Sequence, residues 1–370
     1  MWRGIQLHCA AMRVLLPTVY ATRGGSTRIL LATAAVLRGE HEVTLRAPLD
    51  EADERAPVLF PDRPLVGLLR KLGILPRLLS LICREALVLR RLRPDVIHLH
   101  DEPSLYVYGV AARCLRPRPL ILWHLHLDPS RGGVLARLRG RLADACVTIS
   151  PHIPSPASLP STLVRNPLSL SNGATEPHPD PLAALAVVGA IYPQKGQDLA
   201  VEALALLRCR PEARHARLML IGPELDGAYA AALRERIARL GLGEVVRFTG
   251  ARPPEHAFDD VGLALFPSQS EIQPLALAEA LGRGFRVVAS SIPAHRVMIE
   301  ETGADPASLS PRNPEAFAEA ILKAASGPIR ADVAPRVRAL YAPAAFSDAI
   351  LSLYRNSLTR PAPFRDTIGL

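Results

Sequence analysis

One feature restricts the fold of this 370-residue chain more than any other. Apolar runs of eight residues or fewer return at intervals, separated by stretches with helical patterning. In the first half the runs are Arg13–Thr18, His41–Arg46, Asp95–His100, Leu120–Leu127, Ala145–Ser150 and Ser161–Asn166. In the second they are Leu185–Ala190, Arg217–Gly222, Val245–Gly250, Gly262–Ser268 and Arg286–Ser290. Their Val, Ile and Leu content is that of strands covered on both faces. Tyr229–Leu240 and Glu315–Ala325 read as helices between them, the second opened by Asn313 as N-cap and Pro314 in the first turn. Strand–helix alternation on this scale predicts an α/β fold of doubly wound parallel sheets. The pattern is interrupted over residues 151–181, which hold eight prolines, and Ser169–Pro181 reads as a linker.

At this length, with 49% apolar residues, the chain exceeds one ordinary core and suffices for two. The expected organisation is an N-terminal extension over 1–11, α/β domains over 12–168 and 182–345, the linker over 169–181, and a C-terminal helix and tail over 346–370. Ligands of such sheets lie beyond the carboxyl ends of the strands, so the site is expected in a cleft between two facing domains. Charge is divided unevenly. Residues 1–170 carry 23 Lys and Arg against 13 Asp and Glu, whereas residues 171–370 carry 21 against 22. The basic half suits an acidic partner such as phosphates or an anionic membrane surface, or it is simply a solvated face. Five scattered cysteines without a CxxC spacing argue against a disulfide framework or a cysteine-type zinc site and fit a reducing cytosol. No uncharged apolar run is long enough to span a bilayer, and the first eleven residues lack the pattern of a secretory signal.

Five motifs carry chemistry. In Val187-Val188-Gly189-Ala190-Ile191-Tyr192-Pro193-Gln194-Lys195-Gly196 a strand ends at glycine, and a short loop delivers one of only three lysines to the start of a helix. Backbone amides, a helix N-terminus and one ammonium suit a diphosphate, although the loop is not a Walker loop. In Phe266-Pro267-Ser268-Gln269-Ser270-Glu271-Ile272-Gln273-Pro274-Leu275-Ala276-Leu277-Ala278-Glu279 a polar loop carries Glu271, and Pro274 opens a helix with Glu279 in its second turn. A carboxylate there fits a vicinal diol such as a ribose, or a buried ion pair. His98-Leu99-His100 and His124-Leu125-His126 place each pair on one strand face. They read either as metal ligands or as polar and proton-handling groups. Gly24-Gly25 before a helix permits close backbone approach to a ligand. Arg70, Arg77, Arg84 and Arg91 recur every seven residues on a helical stretch, a face for anionic lipid or for solvent, with Pro76 expected to divide it.

Taken in order, these motifs resemble the retaining glycosyltransferases of family four, the group 1 glycosyltransferases. The resemblance covers roughly residues 12–345 and is most specific in the spacing of Glu271 and Glu279 followed by Ala-Leu-Gly-Arg-Gly-Phe-Arg-Val-Val-Ala-Ser. It implies the GT-B fold, two Rossmann-like domains. It also implies transfer of a sugar from a nucleotide-diphosphate sugar to a saccharide or lipid-linked acceptor, with retention, without a bound metal or other cofactor. By position, Glu279 would hold the donor ribose, Lys195 and Gly189 the diphosphate, and Glu271 the donor sugar. Gln273, Pro274 and Leu275 would lie near sugar and phosphate, Gly24 and Gly25 between phosphates and acceptor, and His126 at the reacting centre. His124, Ser268 and Arg28 are further candidates for that site. The resemblance places the chain in the cytoplasm, peripherally at a membrane, with no nucleic acid partner, in surface polysaccharide or glycoconjugate synthesis. The chain departs from the family at Ala190, where an arginine is usual, at Pro274 in a normally glycine-rich stretch, and at Arg286, often a proline. Two rival readings are a metal-dependent hydrolase built on the histidine pairs and a catalytically weakened binding or scaffold subunit.

Overall fold

The computed structural model describes residues 11–19, 25–46, 66–129, 139–156, 159–168 and 176–357. The chain divides into two compact units, one formed by Met1–Asn166 with Phe346–Leu370 and the other by Pro167–Ala345. The first unit contains β1 (Arg13–Pro17), α1 (Gly25–Leu37), β2 (Glu42–Arg46), α2 (Val66–Leu92), β3 (Val96–Leu99), α3 (Glu102–Ala111), β4 (Leu120–Leu125), β5 (Ala145–Thr148) and β6 (Ser161–Leu163). Its strands are parallel and ordered β2-β1-β3-β4-β5-β6. The chain steps one way from β1 to β2 and then restarts on the other side at β3, so the switch point lies between β1 and β3.

The second unit contains β7 (Leu185–Val188), α4 (Gln197–Arg208), β8 (Leu218–Ile221), α5 (Gly227–Arg239), β9 (Val246–Gly250), β10 (Leu263–Phe266), α6 (Leu275–Gly282), β11 (Arg286–Ser290), α7 (Pro293–Thr302), β12 (Leu309–Ser310), α8 (Pro314–Ser326) and α9 (Val333–Leu340). Its parallel order β12-β11-β10-β7-β8-β9 places the switch point between β7 and β10. Short connections require caps. Asp226 accepts from the Tyr229 amide to start α5, and Asn313 accepts from the Ala316 amide to start α8.

A last helix, α10 (Pro343–Ser357), closes the first unit. Phe346, Ile350, Leu353 and Tyr354 lie on one face at helical spacing and are buried with Val14, Leu16, Ile29 and Leu30. Segment 346–370, read from sequence as a C-terminal helix and tail apart from both domains, thus belongs through its helix to the core of the first unit. All eleven runs read as strands are strands, each trimmed at one or both ends or matched in full. The structure adds β12, too short to mark the sequence. Helix α2 runs through Pro76 as one element, against the expectation of two segments. Arg286, at the family's proline position, donates to the Gly327 carbonyl at the end of α8.

Candidate active site

At the switch point of the second unit, two loops leave the carboxyl ends of β7 and β10 and fasten to each other. The Gln269 amide donates to the Gln194 carbonyl at 2.7 Å, Gln194 Nε2 to the Ser270 carbonyl at 2.8 Å, and Gln269 Nε2 to the Pro193 carbonyl at 3.0 Å. Gly196 between Lys195 and α4 has φ of 69°, and a Cβ there would stand 2.3 Å from the Pro267 carbonyl oxygen, so only glycine fits. Gly222 after β8 is similarly constrained, its missing Cβ falling 2.1 Å from the Gly189 carbonyl oxygen. This framework brings Lys195 Nζ to 2.7 Å from Glu271 Oε1. Ser268 Oγ donates to the same oxygen at 2.8 Å. Gly189 lies along the Lys195 stem. Lysine and carboxylate side chains remain 22% and 13% exposed, enough to exchange partners with a ligand.

The loop continues into α6. Pro274 is buried, and the Leu275 amide donates to the Gln273 carbonyl at 2.9 Å. The Leu275 amide, which the resemblance places near sugar and phosphate, closes this turn. Glu279 has its own partner one helical turn on, Arg283, at 2.8 Å. Burial pushes the Glu279 carboxyl above its ordinary value, and Arg283 pulls it back without cancelling the rise. Arg283 is fixed in turn by the Pro254 carbonyl at 3.1 Å and stands over the Phe258 ring. The structure thus joins Lys195, Ser268 and Glu271 directly and gives Glu279 a separate ion pair.

Two neighbours escaped the sequence reading. His295 on α7 is fully buried, with Nδ1 at 2.8 Å from the Ser290 carbonyl, an arrangement that makes Nδ1 the protonated nitrogen. Ser290 Oγ donates to the Ser268 carbonyl at 2.5 Å. Burial lowers the His295 pKa to about 4, with Glu271 raising it and Lys195 lowering it further. Arg312, after β12, donates to the Pro267 carbonyl at 3.2 Å beside Gly196. Neither lies in a recognisable motif. Ala190 provides no cation, and its carbonyl accepts from Gln197 Nε2 at 2.9 Å.

In the first unit the four histidines form one stack. Ring centroids are 4.7 Å apart for His98 and His100, 4.6 Å for His100 and His124, and 4.7 Å for His124 and His126. His98, His100 and His124 are buried to 1% exposure or less. His126 is half-buried just past the end of β4, its Nε2 at 3.2 Å from His100 Nδ1. Burial lowers every one of these pKa values, His98 to about 3 and His126 to about 4, so all four rings are neutral at pH 7. Gly25 begins α1 and Arg28 is exposed on it, whereas Gly24 lies outside the described residues.

A pair of doubly wound α/β units, one with a lysine–carboxylate pair at its switch point, is the architecture of a GT-B glycosyltransferase. Residues 23–153 match the family described as Glycosyltransferase Family 4, and residues 183–326 that described as Glycosyl transferases group 1. The chain belongs to the group 1 glycosyltransferases. It is 35% identical over 113 residues to a D-inositol 3-phosphate glycosyltransferase of Nocardia farcinica, covering 29% of this chain and 25% of that one. It is 33% identical over 126 residues to the lipopolysaccharide core biosynthesis mannosyltransferase LpsB of Rhizobium meliloti, covering 31% of this chain and 34% of that one. The chain thus spans about a quarter to a third of the length of these curated relatives. The crystal structure of Anabaena HepE with UDP and glucose shares the fold at a TM-score of 0.67 and 20% identity, covering 93% of this chain and 99% of that one. Both matching families are described as glycosyltransferases.

Proposed function

We propose that the chain moves a sugar from a nucleoside diphosphate donor to a hydroxyl of a saccharide or lipid-linked acceptor, with retention at the anomeric carbon. The observation that carries this reading is the Lys195–Glu271 pair at 2.7 Å, built from two loops at the switch point of the second unit. In the donor complex Lys195 and the first amides of α4 would take the diphosphate, where an anion is favoured. Glu271, released from Lys195, would accept from the donor sugar hydroxyls. Glu279, held by Arg283, would accept both hydroxyls of the ribose. His126 would lie at the reacting centre from the first unit. The bond from the anomeric carbon to the β-phosphate oxygen breaks, the acceptor oxygen bonds to the same carbon, and its proton passes to the departing phosphate. Lys195 stabilises the charge that develops on the leaving group, and the reading includes no metal in this step. The UDP bound by HepE and the lipopolysaccharide role of LpsB support the donor and acceptor classes.

A thermal-shift screen against UDP, GDP, ADP and dTDP tests the donor. One of these diphosphates should raise the melting temperature of the wild type. Lys195→Ala should abolish that shift and cut turnover by orders of magnitude while remaining folded. Unchanged nucleotide binding and turnover in Lys195→Ala would remove the assignment. The acceptor is read as anionic or membrane-held from the basic first half. No helix among the described residues is long and apolar enough to cross a membrane, so association would be peripheral. Of the arginine series, Arg91 is exposed and Arg84 lies 3.2 Å from Glu85. Vesicles containing anionic lipid should carry the protein in flotation at low salt and lose it at high salt. Equal flotation with neutral vesicles would remove the membrane part.

A further inference from the structure

Three buried histidines of the first unit have ring nitrogens that no hydrogen bond accounts for. His98 and His100 stand two residues apart at the end of β3, and His124 stands on the adjacent β4, whose pairing sets His98 opposite Leu122 and thus His100 level with His124. A ring nitrogen from each lies within 4.8 Å of one from each of the others. His98 Nε2, His100 Nε2 and both nitrogens of His124 are buried without a hydrogen-bond partner in the structure. Leaving such a group unpartnered is costly, and native cores hold only a few. Four gathered on three touching rings point to a common occupant that takes one nitrogen from each ring.

We propose that His98, His100 and His124 bind one late first-row divalent ion, zinc being the probe of choice, and so pin β3 to β4. Two observations favour an ion over trapped water. The set consists entirely of imidazoles, the ligand type that zinc, copper and nickel accept and that magnesium and calcium avoid. The outer hydrogen bonds are also already placed. His98 Nδ1 is 3.1 Å from the Tyr354 hydroxyl and His100 Nδ1 is 3.2 Å from His126 Nε2. With each Nδ1–H donating outward, both rings present Nε2 lone pairs, as metal-binding histidines do when a neighbour fixes their tautomer. The inference meets the transfer reading at His126, whose Nε2 faces His100 Nδ1, and its test reads bound metal and not transfer, so the two can fail separately.

The test is the metal content of full-length, tag-free protein produced in zinc-supplemented medium. About one equivalent of zinc per chain should survive gel filtration through chelator, as expected for a buried structural site. Protein unfolded and refolded in chelator should melt at a lower temperature, and refolding with zinc but not with magnesium should restore the original value. Cobalt refolded into the site should give the visible bands of a nitrogen-ligated tetrahedral ion without a thiolate charge-transfer band. Cys83, Cys114 and Cys209 are the exposed competing thiols among the described residues. A Cys83→Ser/Cys114→Ser/Cys209→Ser variant should therefore keep its zinc, and His124→Leu should lose it. Less than about a tenth of an equivalent in the wild type, where a structural zinc site would be filled, overturns the proposal. Loss of zinc from the cysteine variant also overturns it, even if His124→Leu fails to fold.

Discussion

Glu279 carries opposing demands in one carboxyl group. Its burial raises the pKa, so folding disfavours the ionised form, the one that would hold a ribose, relative to the unfolded chain. The sign follows from linkage. For an acid whose folded pKa lies above the unfolded one, the contribution to stability is best below the unfolded value and worsens as pH rises through the folded value. Glu279→Gln, which imitates the protonated group beside Arg283, should therefore leave the melting temperature at pH 7 equal or higher. Donor binding, measured as the nucleotide-induced thermal shift, should meanwhile fall at least about tenfold in affinity, the loss of one good charged hydrogen bond. A lower melting temperature with intact nucleotide binding would show Glu279 to be only a structural partner of Arg283. The arginine itself was within reach of the sequence, since it stands four residues on along a helix. His295 was not, because its nearness to Glu271 and Lys195 arises from the placement of α7 beyond β11, which no local spacing encodes. Lys195 and Glu271 were legible as separate loop residues, each after a strand. Their contact was not, because it depends on β10 restarting beside β7.

At the scale of elements, α2 shows what holds the first sheet's edge. Glu85, 2% exposed, takes both nitrogens of the Arg46 fork from β2 at 2.5 and 2.9 Å and the Tyr108 hydroxyl from α3 at 3.0 Å. One carboxylate thus ties an edge strand to two helices. Burial alone would raise its pKa, but the hydrogen bonds from Arg46 and Tyr108 outweigh it and leave the value below normal. Its contribution is then fully present above the unfolded value and is lost as pH falls through the folded one. Glu85→Gln should cost about 2 to 3 kcal/mol at neutral pH, and the gap from wild type should narrow in acid. Denaturant unfolding at pH 7 and pH 4 would show it. A gap independent of pH would mean that packing, and not charge, is what Glu85 supplies. The apolar face of α2 announced a helix in the sequence. Its passage through Pro76 did not follow, because a proline kink and a proline break read alike until packing decides between them.

The whole molecule is built from one continuous unit and one discontinuous unit, and their stabilities should differ accordingly. Pro167–Ala345 contains its entire sheet, its caps and both loops of the lysine–carboxylate pair. The first unit depends on a helix delivered from the far end of the chain, and full burial of Phe346, Ile350, Leu353 and Tyr354 is worth about 1.5 to 3 kcal/mol for each apolar side chain. Summed over four positions, that is comparable with the whole stability of an ordinary domain. The sequence displayed the apolar face of this helix but not its destination, because helical periodicity states that a face is buried without stating against what. A fragment of residues 167–345 should therefore unfold cooperatively on its own, whereas 1–345, which lacks the closing helix, should leave its first unit without a cooperative transition. Nucleotide binding separates the two assignments. If the donor diphosphate is held by Lys195, Glu271 and Glu279 alone, the isolated 167–345 fragment should keep most of the nucleotide-induced thermal shift of the full chain. A folded fragment that no longer responds to any nucleoside diphosphate would place essential donor contacts in the first unit and overturn the division of labour proposed here.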